Sequence, residues 1–216
     1  MAKVNYINKR QHFPSIFSSL AVPFCFIGPS VMVVTDIATI ELNNNVNPIK
    51  QTISGFALGP YGWLEKIGMI SVAISFLLIA SALLEMKKGA ESNILKLGGF
   101  LFIIMAFGFL MTSLFDTHVF GTPNNIHGFI HLASLGVVCG AFYLSCLIFA
   151  RLLMGRPGLR FLGVYSLITF FIPIIVLSPF VFLHDINNIM GMLEQVITGF
   201  NLLWIVAIGP QLIKTL

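Results

Sequence analysis

Charge is what this sequence has least of: Lys, Arg, Asp and Glu make up 9% of 216 residues, against about 25% in ordinary soluble domains. That scarcity excludes a soluble enzyme, and the scatter of the basic residues excludes a nucleic-acid reader. Cysteine is also rare, with three in the chain. Cys25, Cys139 and Cys146 all fall in apolar stretches without metal-ligand spacing, so a disulfide scaffold and a cysteine-ligated metal site are both excluded. No long polar or low-complexity tract is present, which excludes disorder.

What is present is apolar: 57% of residues are hydrophobic, 21 are Phe, and the mean hydropathy is +0.95. A membrane-spanning helix needs about 20 apolar residues. Six stretches qualify, 13–34, 63–85, 94–115, 127–153, 161–183 and 189–213, and together they account for more than half of the chain. Each is too long for a strand and none alternates with period 2, so a closed barrel is excluded. The expectation is an all-α polytopic membrane protein, a single domain over 1–216 built as a bundle of six transmembrane helices.

Orientation follows from Lys and Arg, which are retained in cytoplasmic connections. Only Lys50 and Lys66 of the 12 basic residues fall on one side. The rest precede the first span (Lys3, Lys9, Arg10), lie between the second and third (Lys87, Lys88, Lys96) or fourth and fifth (Arg151, Arg156, Arg160), or end the last (Lys214). Both termini are therefore expected in the cytoplasm, with the protein in the cell membrane. The net charge of +4 reads as a topology signal rather than a lipid- or nucleic-acid-binding one. The first stretch is too long for a signal peptide and lacks a small-x-small cleavage site, so it reads as a retained anchor.

Acids and histidines gather on the opposite side. Asp36, Glu41, Glu65, Asp116, Asp185 and Glu194, with His118, His127, His131 and His184, are expected at or near the outer face; His12 is not. The first outer connection, 37–62, holds the turn Asn43-Asn44-Asn45-Val46-Asn47-Pro48 and then Gly59-Pro60-Tyr61-Gly62-Trp63. It reads as a structured loop or as a cap over an outer pocket. Glu65 beside Lys66 reads as an interfacial ion pair.

His127 and His131 are one helical turn apart and share a face, a spacing at which two imidazoles can hold one metal ion. Asp116 and His118, across a tight connection, are candidate further ligands. The pair lacks the internal Glu of the HExxH motif, and a hydrogen-bonded histidine is the plainer reading. Glu194, inside the last span, is costly there unless paired or functional; it is the candidate general base, with His127, His131 and Asp116 its expected partners. His184-Asp185 reads as joining that cluster or as solvated. Pro23, Pro29, Pro173 and Pro179 are expected to kink the first and fifth spans. Gly136 and Gly140 have helix-packing spacing, and no inverted repeat supports a transporter fold.

Ile53-Ser54 through Gly59-Pro60-Tyr61-Gly62-Trp63-Leu64, Phe115-Asp116 with His127-Gly128-Phe129-Ile130-His131, and Gly191-Met192-Leu193-Glu194-Gln195 with Trp204 downstream carry a resemblance. They resemble the prokaryotic six-helix membrane family catalogued as domain of unknown function 998, in order and over nearly the whole chain. The resemblance implies six spans with motif residues at the outer helix ends, and no activity. Where that family carries Glu-Arg in the last span this chain has Glu194-Gln195, so no role resting on an arginine there carries over.

Three functions compete. The first is non-enzymatic: a small transporter, a binder of a lipid-like or other ligand, a sensor, or an accessory subunit of unidentified protein partners. The alternative is an intramembrane zinc-dependent hydrolase acting on a lipid or amide at the outer leaflet. There His127, His131 and His118 would be ligands, Asp116 a ligand or orienter, and Glu194 the base. Haem ligation is disfavoured because His127 and His131 share one helix.

Overall fold

A computed structural model describes residues 16–85, 92–117, 125–182 and 188–214, the side chains of 178–182 excepted. The described residues form six long helices and one short one. These are α1 (Ile16–Leu42), α2 (Ile53–Phe56), α3 (Gly62–Glu85), α4 (Ser92–Leu114), α5 (Ile126–Met154), α6 (Arg160–Phe182) and α7 (Met190–Lys214). All but α2 are long and apolar enough to cross a membrane. An even number of crossings puts the two ends of the bundle in alternation: one carries the 43–61 connection and the starts of α3, α5 and α7, and is called the loop end below.

The helices follow one another around a ring. α1 packs on α3, α3 on α4, α4 on α5, α5 on α6, α6 on α7, and α7 closes back onto α1 while also touching α3. Water-driven burial does not distinguish a helix partner from a lipid tail, so close packing and hydrogen bonds must hold such a ring. The tightest junction, α1 on α3, shows both. A Cβ on Gly28 would collide with Ser75 and the Ser71 carbonyl. Ser71 Oγ donates to Gly28 O at 3.0 Å and Ser75 Oγ to Phe24 O at 2.8 Å. Both carbonyls lie beside Pro23 and Pro29, which α1 carries within its length.

Away from the loop end the ring is filled by aromatics. Phe76, Phe102, Phe149 and Trp204 are all fully buried. Trp204 lies 5.1 Å from Phe142 and 6.3 Å from Phe102 and from Phe149, centroid to centroid. Its indole N–H donates to Ser166 Oγ at 2.7 Å, and Ser166 donates on to Cys146 O at 2.8 Å. Outward, α4 presents Leu97, Phe100, Ile104 and Phe107 at helical spacing to the lipid side, all exposed.

One boundary differs from the sequence expectation. The first span was expected to end near Val34, yet α1 continues to Leu42, through the start of the expected connection. The polar residues that suggested an end are satisfied within the helix: Thr35 Oγ1 donates to Met32 O at 2.9 Å and Thr39 Oγ1 to Thr35 O at 2.8 Å.

Candidate functional site

Two carboxyl groups face each other inside the ring at the loop end, with a third within electrostatic reach. Glu65, in the first turn of α3, is fully buried and neither of its oxygens has a hydrogen-bond partner. It faces Asp36 of α1, whose Oδ1 is likewise buried and unpartnered, and Glu194 of α7 lies within electrostatic reach of both. The small side of Gly68, one turn beyond Glu65, lets α1 approach here, for a Cβ on it would collide with Thr35. Two like charges in contact away from water cannot both persist without a counter-ion, so this junction must hold a proton or a cation.

The expected ion pair between Glu65 and Lys66 is not formed. Adjacent helix residues point about 100° apart, and while Glu65 turns inward, Lys66 Nζ meets Asp116 Oδ1 at 2.7 Å, with both side chains substantially exposed.

Glu194 also fastens the connection between α1 and α3. Its Oε2 accepts from the Ile53 backbone N–H at 2.8 Å, at the start of α2, which Thr52 caps by accepting from Gly55 N. Next to it Gln195 Nε2 donates to Pro48 O at 2.8 Å, and Met192 N donates to Ile49 O at 3.1 Å. Gly191 is required for this approach, because a Cβ there would run into the Gln51 and Pro48 carbonyls. The connection is ordered from within by its asparagines: Asn47 Oδ1 accepts from Ile49 N at 3.1 Å and Lys50 N at 3.3 Å. Residues 43–61 thus form a folded cap tied to α7 beside the carboxyl groups.

The polar interior continues toward the aromatic fill. Cys139 of α5 is within electrostatic reach of Glu194, and Tyr143, one turn on, accepts from Asn201 Nδ2 at 3.4 Å. Asn201 Oδ1 is buried without a partner.

The histidines are arranged differently from the carboxyls. His131 is buried, and its Nδ1 lies 2.8 Å from Phe115 O, just past α4, and 3.1 Å from Thr112 O in its last turn. His127 rests its ring against Phe115, 5.5 Å between centroids, and Asp116 is engaged by Lys66. His118, His184 and Asp185 lie outside the described residues. Among the described residues no three His, Cys, Asp or Glu side chains are grouped to hold a metal ion. Glu194 keeps company with Asp36, Glu65 and Ile53 N–H, rather than with the histidines expected as its partners.

Sequence reasoning grouped Asp36 and Glu65 at one end of the bundle but missed that they meet. One signal was available: Glu65 shares a helical stripe with Gly68, Val72 and Phe76, all buried. Tyr143 and Asn201 carried no signal of their own.

A family model described as Protein of unknown function (DUF998) matches residues 26–210. No curated protein and no solved structure matches the chain.

Proposed function

The chain belongs to the family described as Protein of unknown function (DUF998), and for this member we propose a non-enzymatic role in which the carboxyl groups at the loop end exchange a proton with the outside, as in a small proton-linked transporter or sensor. The observation that carries it is Glu65: fully buried, unpartnered at both oxygens and facing Asp36. An intramembrane acid of this kind is costly and is kept where it serves proton or ion traffic. The charge count, which favours the cytoplasm for the basic connections, supports a loop end that faces outward. Glu194 lies within electrostatic reach of Glu65 and Asp36, and Lys66, next to Glu65 in sequence, is turned to Asp116.

Infrared difference spectra of the protein in lipid nanodiscs, taken between acidic and alkaline buffer, test this. A carboxylic C=O band that responds to pH and is removed or shifted in both Glu65→Gln and Asp36→Asn is expected. A spectrum unaltered by either substitution refutes the reading.

A second reading, the zinc-dependent hydrolase, is favoured by one observation. With Nδ1 of His131 held at main-chain carbonyls, the nitrogen left over is Nε2, the arrangement in which a histidine presents a ligand nitrogen. Among the described residues His127, His131 and Asp116 do not make a three-donor set. Plasma mass spectrometry of chelator-free protein decides: stoichiometric zinc lost in His127→Ala and His131→Ala supports it, and absence of transition metal removes it.

A further inference from the structure

At the end of the bundle opposite the carboxyl groups, a groove opens between the start of α4 and the last turns of α5. Its volume is about 430 Å³, and it is lined by Ile94, Leu97, Ile148, Arg151, Leu152 and Gly155. The residues around it explain why it exists. α4 and α5 lock through the buried Phe149 ring, which occupies the space a Cβ on Gly98 would need. Nearer the helix end Gly155, the cap of α5, has no side chain to fill the space beside that lock. From Ile148 to Gly155 the groove follows α5 for about two turns, roughly 10 Å along the axis.

Its walls are apolar and turned to the membrane. Ile94 and Leu97 are exposed, Leu97 belonging to the lipid-facing stripe of α4, while Leu152 is buried. Vacant space against such walls forfeits dispersion contacts, so hydrocarbon fills it. The one charged residue of the lining is Arg151, and its guanidinium has no ion-pair partner among the described residues. The surrounding charge has one sign: Lys96, Arg156, Arg160 and Lys214 lie at the same end, against Glu85 alone among the described acids. A guanidinium at the mouth of an apolar groove lays its stem on the wall and presents paired donors to phosphate oxygens. Basic pockets between spanning helices hold anionic headgroups in this way.

We propose that this groove is a binding site for an anionic phospholipid, with the upper part of one acyl chain between α4 and α5 and the phosphate on Arg151. Selectivity comes from the groove and its one guanidinium, rather than from net charge. The site goes beyond the proton-exchange reading and shares no residue with it.

Native mass spectrometry of the full chain, titrated in detergent with phosphatidylglycerol and with phosphatidylcholine of the same acyl chains, tests the site. The first phosphatidylglycerol should bind about tenfold or more tighter than phosphatidylcholine, and Arg151→Gln should abolish that preference. Gly155→Phe, which narrows the groove, should weaken both lipids. Both variants are compatible with the fold: Arg151 is exposed, Gly155 has a φ of −74°, and a Cβ there meets main-chain oxygens at 3.6 and 3.8 Å, ordinary contact. Lys96→Gln, exposed at the same end but outside the groove, should keep the preference. Equal binding of the two lipids, a preference that survives Arg151→Gln or is lost equally in Lys96→Gln, or binding indifferent to Gly155→Phe overturns the proposal.

Discussion

Replacing Glu194 with Ala should loosen the cap by a calculable amount. The side chain accepts one backbone hydrogen bond, from Ile53 N–H at 2.8 Å, across a sequence separation of 141 residues, so no local structure substitutes for it. A hydrogen bond to a charged group contributes about 1.5–3 kcal/mol. At a factor of ten per 1.4 kcal/mol, local opening of the segment should become roughly 10- to 150-fold more frequent. The Gln195–Pro48 and Met192–Ile49 bonds remain, which keeps the loss local. Glu194→Gln retains a carbonyl acceptor and loses only the charge assistance, about 1 kcal/mol or roughly fivefold. Hydrogen–deuterium exchange read by mass spectrometry on peptides covering 47–56 measures this directly. Exchange there that is unchanged in Glu194→Ala, or faster in the Gln variant than in the Ala variant, refutes the assignment of Glu194 as the fastening residue.

Gly28→Val should destabilise the bundle by several kcal/mol, more than the roughly 1–3 kcal/mol typical of overpacking, because its branches would meet the Ser71 main chain as well as Ser75; detergent melting curves give the comparison. His131→Ala leaves the end of α4 without its buried hydrogen-bond partner and should cost about 1–3 kcal/mol, whereas Lys66→Ala, which breaks a largely exposed pair, should cost at most about 1 kcal/mol. Equal losses in those two variants would overturn the ranking of buried over exposed contacts.

The six spans were legible because their signal is composition summed over some 20 residues, which no tertiary context reverses. Register was not. In a lipid-facing helix both the packed and the lipid-exposed faces are apolar: α4 buries Phe102 and Met105 while exposing Phe100 and Phe107. Hydrophobic periodicity therefore carries almost no information about which face meets which neighbour. Glu65 and Lys66 illustrate the consequence, since adjacency in sequence suggested a pair that a 100° turn separates. Pairing Asp36 with Glu65 required knowing that α1 lies on α3, and joining Glu194 to them required knowing that α7 returns to α1. The long reach of α1 was hidden because Thr35 and Thr39 look like a helix end when their internal hydrogen bonds are unknown.

The return of α7 to α1 also sets an order on assembly. Helices that enter the membrane in sequence can form the junctions from α1 to α6 as each arrives, but the seam between first and last closes only when α7 is inserted. Trp204 travels on that helix, and so do Glu194 and Gln195, the anchors of the cap. Until then the nascent bundle is an open crescent with an unfilled centre and an untethered 43–61 segment. Insertion of α7, rather than any earlier folding step, is the moment at which the interior becomes a bounded compartment.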